Sequence, residues 1–154
     1  MLYQSEILAA ALKYNVTSDW LKAIITQESR FDPYALRYEE KYSYLYKVKE
    51  MALKCRVSTD TETQEQKFSW GLGQLMGALV REQGFTEPMG RLFEPVINID
   101  HIAIRLRDLM KKSPVDTDVF AMYNGGIGAL SKKTICYPNQ SYVDSVKKHL
   151  QSFQ

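Results

Sequence analysis

Apolar residues recur at helical spacing along most of this chain, and they set its expected architecture. Ile7, Leu8, Ala11 and Leu12 predict a first helix over residues 5–15, with Asn15 and Thr17 turning the chain. A second helix follows, in which Ser18 is a good N-cap, Asp19 adds negative charge to the first turn, and Leu21, Ile24 and Ile25 share one face. Pro33 disfavours helix at Asp32, so this helix must end soon after residue 28. Residues 75–83 predict a further helix with Leu79 and Val80 in the core and an end at Gly84, followed by a turn at 87–90. The clearest core helix spans 96–110, with Ile99, Ile102, Ala103, Leu106 and Met110 inward and His101, Arg105, Arg107 and Asp108 outward. Another begins at Asp116 and Asp118 and runs through Phe120 to Tyr123, where Asn124, Gly125 and Gly126 stop it. Pro138 and Asn139 introduce the last, closed onto the core by Val143, Val146 and Leu150, with His149 in solvent. The expected fold is therefore all-α, a single domain over residues 1–154.

Two stretches do not fit a regular amphipathic pattern. Residues 34–67 crowd Tyr38, Tyr42, Tyr44 and Tyr46 among charges and then run into a Ser/Thr/Gln/Glu stretch that reads as loop. The tyrosines either pack beneath this segment or offer flat apolar faces with a polar tip to a ligand. Gly71, Gly73 and Gly77 then lie close together, permitting positive φ and close backbone approach, as suits a cleft wall. Taken alone, Gln74 is an amide satisfying a glycine-rich loop.

One carboxyl group stands out. Glu28 lies three residues after Ile25 and seven after Leu21, so it follows the apolar face of its helix rather than the polar one. It also falls near the negative end of the helix dipole. Partial burial and the dipole both oppose ionisation, which moves a carboxyl towards donating a proton near neutral pH. The plainer reading is a glutamate at a helix rim with its carboxylate in water.

Composition narrows the picture without assigning a function. With 154 residues, 45% hydrophobic and 25% charged, the chain suits one globular domain with a real core, expected as a monomer. A net charge of +2 is too small to argue for nucleic acid. No basic leader with an apolar core opens the chain, and no segment has the roughly 20 apolar residues of a membrane-spanning helix. Neither targeting nor membrane insertion is expected from the chain as given. Cys55 and Cys136 are expected as free thiols, and no Cys, His, Asp or Glu cluster has metal-ligand spacing, so no cofactor is expected.

Three ordered blocks add a resemblance. Glu28-Ser29-Arg30-Phe31-Asp32-Pro33 resembles the E-S-x-F-x-P signature of lytic transglycosylases of the soluble-lytic-transglycosylase (SLT, goose-lysozyme-like) superfamily. The segment from Ser69 to Met76 resembles the family's G-L-M-Q block, and Ala121-Met122-Tyr123-Asn124-Gly125-Gly126 its A-Y-N-A-G block. Tyr142-Val143-Asp144-Ser145-Val146 is similar to the closing Y-V-x-x-V. The resemblance implies a lysozyme-like fold, Glu28 as catalytic acid, and Ser29, Ser69, Gln74, Met76, Tyr123, Asn124 and Tyr142 along a saccharide cleft. Tyr123 is implied to hydrogen-bond near the glutamate. It also marks 34–67 as an insertion and suggests phage-encoded relatives. Gly73 stands where the pattern usually has Met, and Pro138 and Asn139 where some members have a second glutamate.

The implied chemistry needs one acid. Ordinary glycosidases set two carboxyl groups about 5–5.5 Å or about 6.5–9.5 Å apart across the scissile bond. Here Asp32, Glu39 and Glu40 are near Glu28 only in sequence, and each reads more simply as a turn or surface residue. A lytic transglycosylase instead protonates the oxygen between N-acetylmuramic acid and N-acetylglucosamine in peptidoglycan, then lets the muramoyl C6 hydroxyl close on the anomeric carbon. The alternatives are a water-using muramidase on the same fold and a non-catalytic glycan-binding or virion structural module.

Overall fold

The computed structural model describes residues 1–153, over which the chain is mainly helical. It divides into two compact units, Met1–Gln27 with Ile102–Gln154, and Glu28–His101.

The first unit is built from helices whose apolar faces match the sequence pattern, except on the first, where Leu8 and Leu12 are exposed and Ala10 is buried beside Ile7 and Ala11, so the packed face is rotated and narrower than expected. Helix α1 spans Gln4–Tyr14 and ends because Asn15 adopts a left-handed φ of 54° and returns its N–H to the Ala11 carbonyl. Helix α2 runs Ser18–Ser29, one residue earlier than a Ser18 cap would give, since the Thr17 carbonyl takes the Leu21 N–H at 3.3 Å. Ile7, Leu21, Ile24 and Ile25 are completely buried, as are Ile102, Ala103 and Leu106. They share the core with Val119, Phe120, Ala121 and Met122 of α7 (Asp116–Gly125) and Val143 and Val146 of α9 (Gln140–Gln151). Trp20 meets Phe120 edge-on at 5.1 Å, and Ser145 donates to Gln27 Oε1 at 2.5 Å. A short helix that the pattern did not predict, α8 (Gly128–Ser131), follows α7.

Asp118 fixes the exposed segment after α8. Its carboxylate accepts from Ser113 Oγ at 2.7 Å and from the Tyr137 hydroxyl, and Lys133 pairs with it at 3.4 Å. The Tyr137 hydrogen bond, then those of Ser113 and Lys133, hold the carboxyl below the usual aspartate range against a desolvation that raises it.

The second unit carries a small antiparallel sheet, ordered β1 (Leu36–Tyr38), β2 (Phe68–Trp70), β3 (Leu75–Met76). The segment between β1 and β2, most of the 34–67 stretch expected as a loop-rich insertion, is not all loop. It forms α3 (Val48–Cys55) and α4 (Thr59–Glu65), and Ser58 accepts the Thr61 N–H at 3.0 Å as a side-chain N-cap. The Ser/Thr/Gln/Glu run misreads as loop because it has no apolar stripe of its own. What it does have is a charge committed inward. Glu62 and Arg81 are both buried and joined by a two-pronged ion pair at 2.8 and 2.9 Å, with Gln66 Nε2 donating to Glu62 Oε1 at 2.8 Å. Arg81 also donates to the Phe85 and Glu87 carbonyls, and Gln66 holds both the N–H and the carbonyl of Tyr46. The pair thus ties α4, α5 (Gly77–Glu82), the 85–87 turn and the tyrosine-rich loop together.

Other boundaries differ from the pattern. Leu75 and Met76 are strand, not helix, because they pair with Trp70 and Ser69, and α5 begins only at Gly77. A Cβ on Gly77 would lie 2.3 Å from the Glu65 carbonyl oxygen, so the close approach needs glycine. The turn at 87–90 gives way to a 3₁₀ helix, Met89–Phe93. Helix α6 (Pro95–Met110) follows, with Leu109 taking the buried position expected of Met110. His101 is buried, not outward: its Nδ1 lies 2.7 Å from Gln83 Oε1 and its ring packs edge-on against Phe85. His149, Arg105, Arg107 and Asp108 are half-buried. Cys55 and Cys136 are free thiols, and Cys55 donates to the Thr86 carbonyl.

Two stability changes follow. Glu62→Ala strands Arg81 in the core and should lower unfolding free energy by about 3–5 kcal/mol, measured by urea titration. Because Asp118 is depressed in the folded chain, its contribution is complete above the ordinary aspartate pKa and is lost as pH falls through the folded value. The unfolding midpoint should therefore fall below about pH 5, and Asp118→Asn should flatten that fall.

Candidate active site

The structure sorts the sequence-derived site residues by unit. Glu28, Ser29, Ser69, Gln74 and Met76 belong to the second unit, and Tyr123, Asn124 and Tyr142 to the first. Glu28 and Ser29 occupy the last turn of α2, both half-buried, with no basic side chain in that turn. The helix ends in two consecutive left-handed residues, Arg30 at φ 54° and Phe31 at φ 66°. One such residue is an ordinary helix stop, whereas a second without glycine costs about 1–3 kcal/mol and must be held by its surroundings.

The holding contacts are visible. The Asp32 N–H returns to the Ser29 carbonyl at 3.1 Å, and its carboxylate caps the Tyr34 N–H at 2.9 Å. The Ala35 carbonyl then receives the Gly71 N–H at 2.7 Å and Gln74 Nε2 at 3.1 Å. The turn after Glu28 is thereby tied to the glycine segment. Gln74, itself left-handed at φ 46°, also donates through Nε2 to the Gly71 carbonyl at 3.1 Å. Its amide is spent on the backbone, the role the residue pattern suggested before any resemblance.

Asn98, on the first turn of α6, secures the same segment from the other side. Its Nδ2 donates to the Trp70 and Leu92 carbonyls at 3.0 and 2.9 Å, and its Oδ1 accepts the Gly73 N–H at 3.0 Å. Gly71, at φ 63°, leaves the room this requires, since a Cβ there would stand 2.5 Å from Asn98 Nδ2. Sequence reasoning missed Asn98, although the signal was present: it precedes Ile102 by one helical turn and so interrupts an apolar stripe.

Across the sheet, register sets which side chains share a face. Arg37 pairs with Ser69 and Ser69 with Met76, while Leu36 and Tyr38 pair with Trp70 and Phe68 on the opposite face. Ser69 is buried and donates to Met76 Sδ at 3.3 Å. The opposite face joins rings in series, with Tyr38, Phe68, Trp70, Phe93 and Tyr34 successively 5.1, 5.9, 5.3 and 5.8 Å apart. Tyr44 bonds instead to Glu82 through its hydroxyl, and Tyr46 is anchored by its backbone, so the tyrosine crowd divides between packing and exposure.

In the first unit, Tyr123 is half-buried near the end of α7, and Asn124 is exposed. Asn139 Nδ2 donates to Asn124 Oδ1 and to the Ala121 carbonyl, both at 3.0 Å, clamping the end of that helix. Tyr142 is half-buried on the first turn of α9.

Among the other acids, Asp32 caps its turn, Glu39 pairs with Arg37 and Glu40 is exposed. Glu65 is a half-buried carboxyl raised above the usual range by desolvation, then by Glu62, with Arg81 opposing. Among the described residues, no three His, Cys, Asp or Glu side chains group as metal ligands, and no helix is long and apolar enough to cross a membrane. Asn98→Ala should leave three buried backbone groups without partners and cost about 2–3 kcal/mol, read from chemical denaturation.

Comparison with known proteins bears on the family and the fold. The family model for the transglycosylase SLT domain matches residues 5–142. The fold is similar to the X-ray structure of an inactive glutamate-to-glutamine mutant of lytic transglycosylase Slt from Pseudomonas aeruginosa, with a TM-score of 0.59 at 21% identity. That likeness covers 98% of this chain and 22% of the Slt chain, so this protein spans about a fifth of that enzyme's length. No curated protein matches at the sequence level. With its lysozyme-like, mainly helical fold and a family match over nearly its whole length, the chain belongs to the transglycosylase SLT domain family.

Proposed function

We propose that this protein is a peptidoglycan lytic transglycosylase in which Glu28 acts first as acid and then as base. The observation that carries this reading is the E-S-x-F-x-P turn at the end of α2, with Glu28 half-buried on its last turn and the turn tied through Ala35 to the Gly71–Gln74 segment. The Slt relative, whose glutamate-to-glutamine mutant is described as inactive, supports a chemistry that depends on a glutamate.

In this mechanism Glu28 donates its proton to the oxygen joining N-acetylmuramic acid to N-acetylglucosamine, and the anomeric C–O bond breaks. The carboxylate so formed takes the proton of the muramoyl C6 hydroxyl as that oxygen bonds to the anomeric carbon. The proton returns to Glu28, no water is consumed, and the product ends in a 1,6-anhydro ring. The substrate's acetamido group stabilises the intermediate cation. Intramolecular closure is favoured because the attacking hydroxyl is already part of the substrate, and the rigid turn around Glu28 keeps the acid in place.

Ser29, Met76, Tyr123, Asn124 and Tyr142 are proposed as saccharide contacts. Gln74 and Ser69 serve by fixing the wall on which the contacts sit. Metal and cofactor have no part in this proposal.

Glu28→Gln keeps the size of the side chain and removes its proton transfer. The variant should clear a cell-wall suspension about 10²–10⁴-fold more slowly than the parent, with an unchanged circular dichroism spectrum and melting temperature. Clearing at the parental rate by a folded Glu28→Gln would overturn the assignment.

A further inference from the structure

One cation shares a sheet rung with two of the residues assigned to the saccharide wall. We propose that Arg37 is a specificity-determining residue that receives a carboxylate of the peptide stems carried by the glycan. The inference rests on the reading above that the chain acts on peptidoglycan, and it names which part of that polymer this face recognises.

Register places the residue. Arg37, Ser69 and Met76 are direct cross-strand partners, so their side chains project from the same face of the sheet. On this rung the Ser69 hydroxyl is buried and gives its proton to Met76 Sδ. Met76 is half-buried and apolar. Polar recognition on the rung therefore falls to Arg37, whose side chain is 71% exposed.

The guanidinium is aimed but not used up. Glu39, two residues on and on the same side of the chain, takes Arg37 Nε at 2.6 Å and Nη2 at 2.5 Å through one oxygen, Oε1. Glu39 is itself pinned, its N–H donating to the Lys67 carbonyl at 2.9 Å. A guanidinium has five N–H donors, and Glu39 Oε1 engages it through Nε and Nη2 alone. An exposed pair of this kind contributes little stability, so it orients the fork without competing strongly for a carboxylate that approaches the open edge.

The chemistry of the polymer selects the partner. In the glycan strand the lactyl carboxyl of each substituted muramic acid is consumed in the amide to its stem, leaving the sugars uncharged. The anionic groups are the carboxylates of the stem peptide. An oriented guanidinium with a free edge beside the proposed sugar-binding wall matches a carboxylate, and in intact polymer the stems are where the carboxylates lie. Arg37 follows Glu28 by only nine residues, through the turn fixed at Asp32 and Ala35, so recognition of the stem is linked to the reacting acid by a short, hydrogen-bonded path.

The test compares parent, Arg37→Gln and Arg37→Lys on two solubilised substrates: glycan strands carrying their stems, and the same strands with every stem carboxylate converted to an amide by carbodiimide and excess ammonia. On stem-bearing strands Arg37→Gln should raise KM by roughly 10-fold, with kcat within about 2-fold of the parent, and Arg37→Lys should recover part of the loss. On amidated strands all three should behave alike. The parent's KM on stem-bearing strands should rise with ionic strength, and that of Arg37→Gln should not. Equal losses on both substrates, or no loss on stem-bearing strands, would overturn the inference. Glu28→Gln is run alongside: if the parent cleaves neither substrate faster than Glu28→Gln, the catalytic reading has failed, and the role of Arg37 in it fails too.

Discussion

The Ala35 carbonyl is the point at which the two motifs of the second unit meet. It accepts the Gly71 N–H and the Gln74 side-chain amide, and through them the turn that leaves Glu28 is bonded to the glycine segment. Without that junction, two consecutive left-handed residues, Arg30 and Phe31, would have little to hold them in an unfavourable conformation. Asn98 then fixes the glycine segment from α6, using three hydrogen bonds that leave no room for a side chain at Gly71. Positional precision around the proposed acid is thus generated mainly by three side chains, Asp32, Gln74 and Asn98, bonded to backbone groups.

This division of labour changes how the motif residues are understood. Gln74 and Ser69 sit in the block that resembles the family's cleft wall, yet the Gln74 amide and the Ser69 hydroxyl are spent inside the protein, on two carbonyls and a methionine sulfur. A short sheet built in this way can present a different residue on its outer strand without disturbing the wall. Arg37 occupies that outer position, on the rung where the buried hydroxyl cannot act. The segment between β1 and β2 serves the same end: its buried Glu62 pairs with Arg81 and anchors α4 against α5, the helix that follows β3 directly, so the long connection does not loosen the strands it joins. Such a pair contributes more to a unique arrangement than to net stability, because both charges lose their water.

Much of the helical framework was legible in the sequence because it depends on local periodicity. The faces of α2, α6, α7 and α9 follow apolar spacing, whereas on α1 Leu8 and Leu12 stay exposed; Asn15, Gly126 and Pro33 mark ends through their own backbone preferences. What could not be read depends on partners distant in sequence. α4 has no stripe of its own and is legible only once Arg81, nineteen residues after Glu62, is known to fold over it. Leu75 and Met76 extend an apparent helix until Trp70 and Ser69 claim them as strand. His101 looks solvent-facing on a helical wheel because Gln83 and Phe85, which cover it, come from another element. The candidate site was proposed from residue types alone, and Gln74 shows the limit of that reading: sequence identified the amide, while its three-dimensional partners decided its work.

The central claim is that a single carboxyl group, at Glu28, breaks the glycan bond by passing one proton out and one proton back, with the substrate's own C6 hydroxyl as nucleophile. Mass spectrometry of the muropeptides released from purified cell wall tests it most directly. The account predicts fragments ending in 1,6-anhydromuramic acid, each lighter by one water than its reducing counterpart and carrying no ¹⁸O when the digestion is run in H₂¹⁸O. Reducing muramic acid ends labelled with ¹⁸O would contradict it.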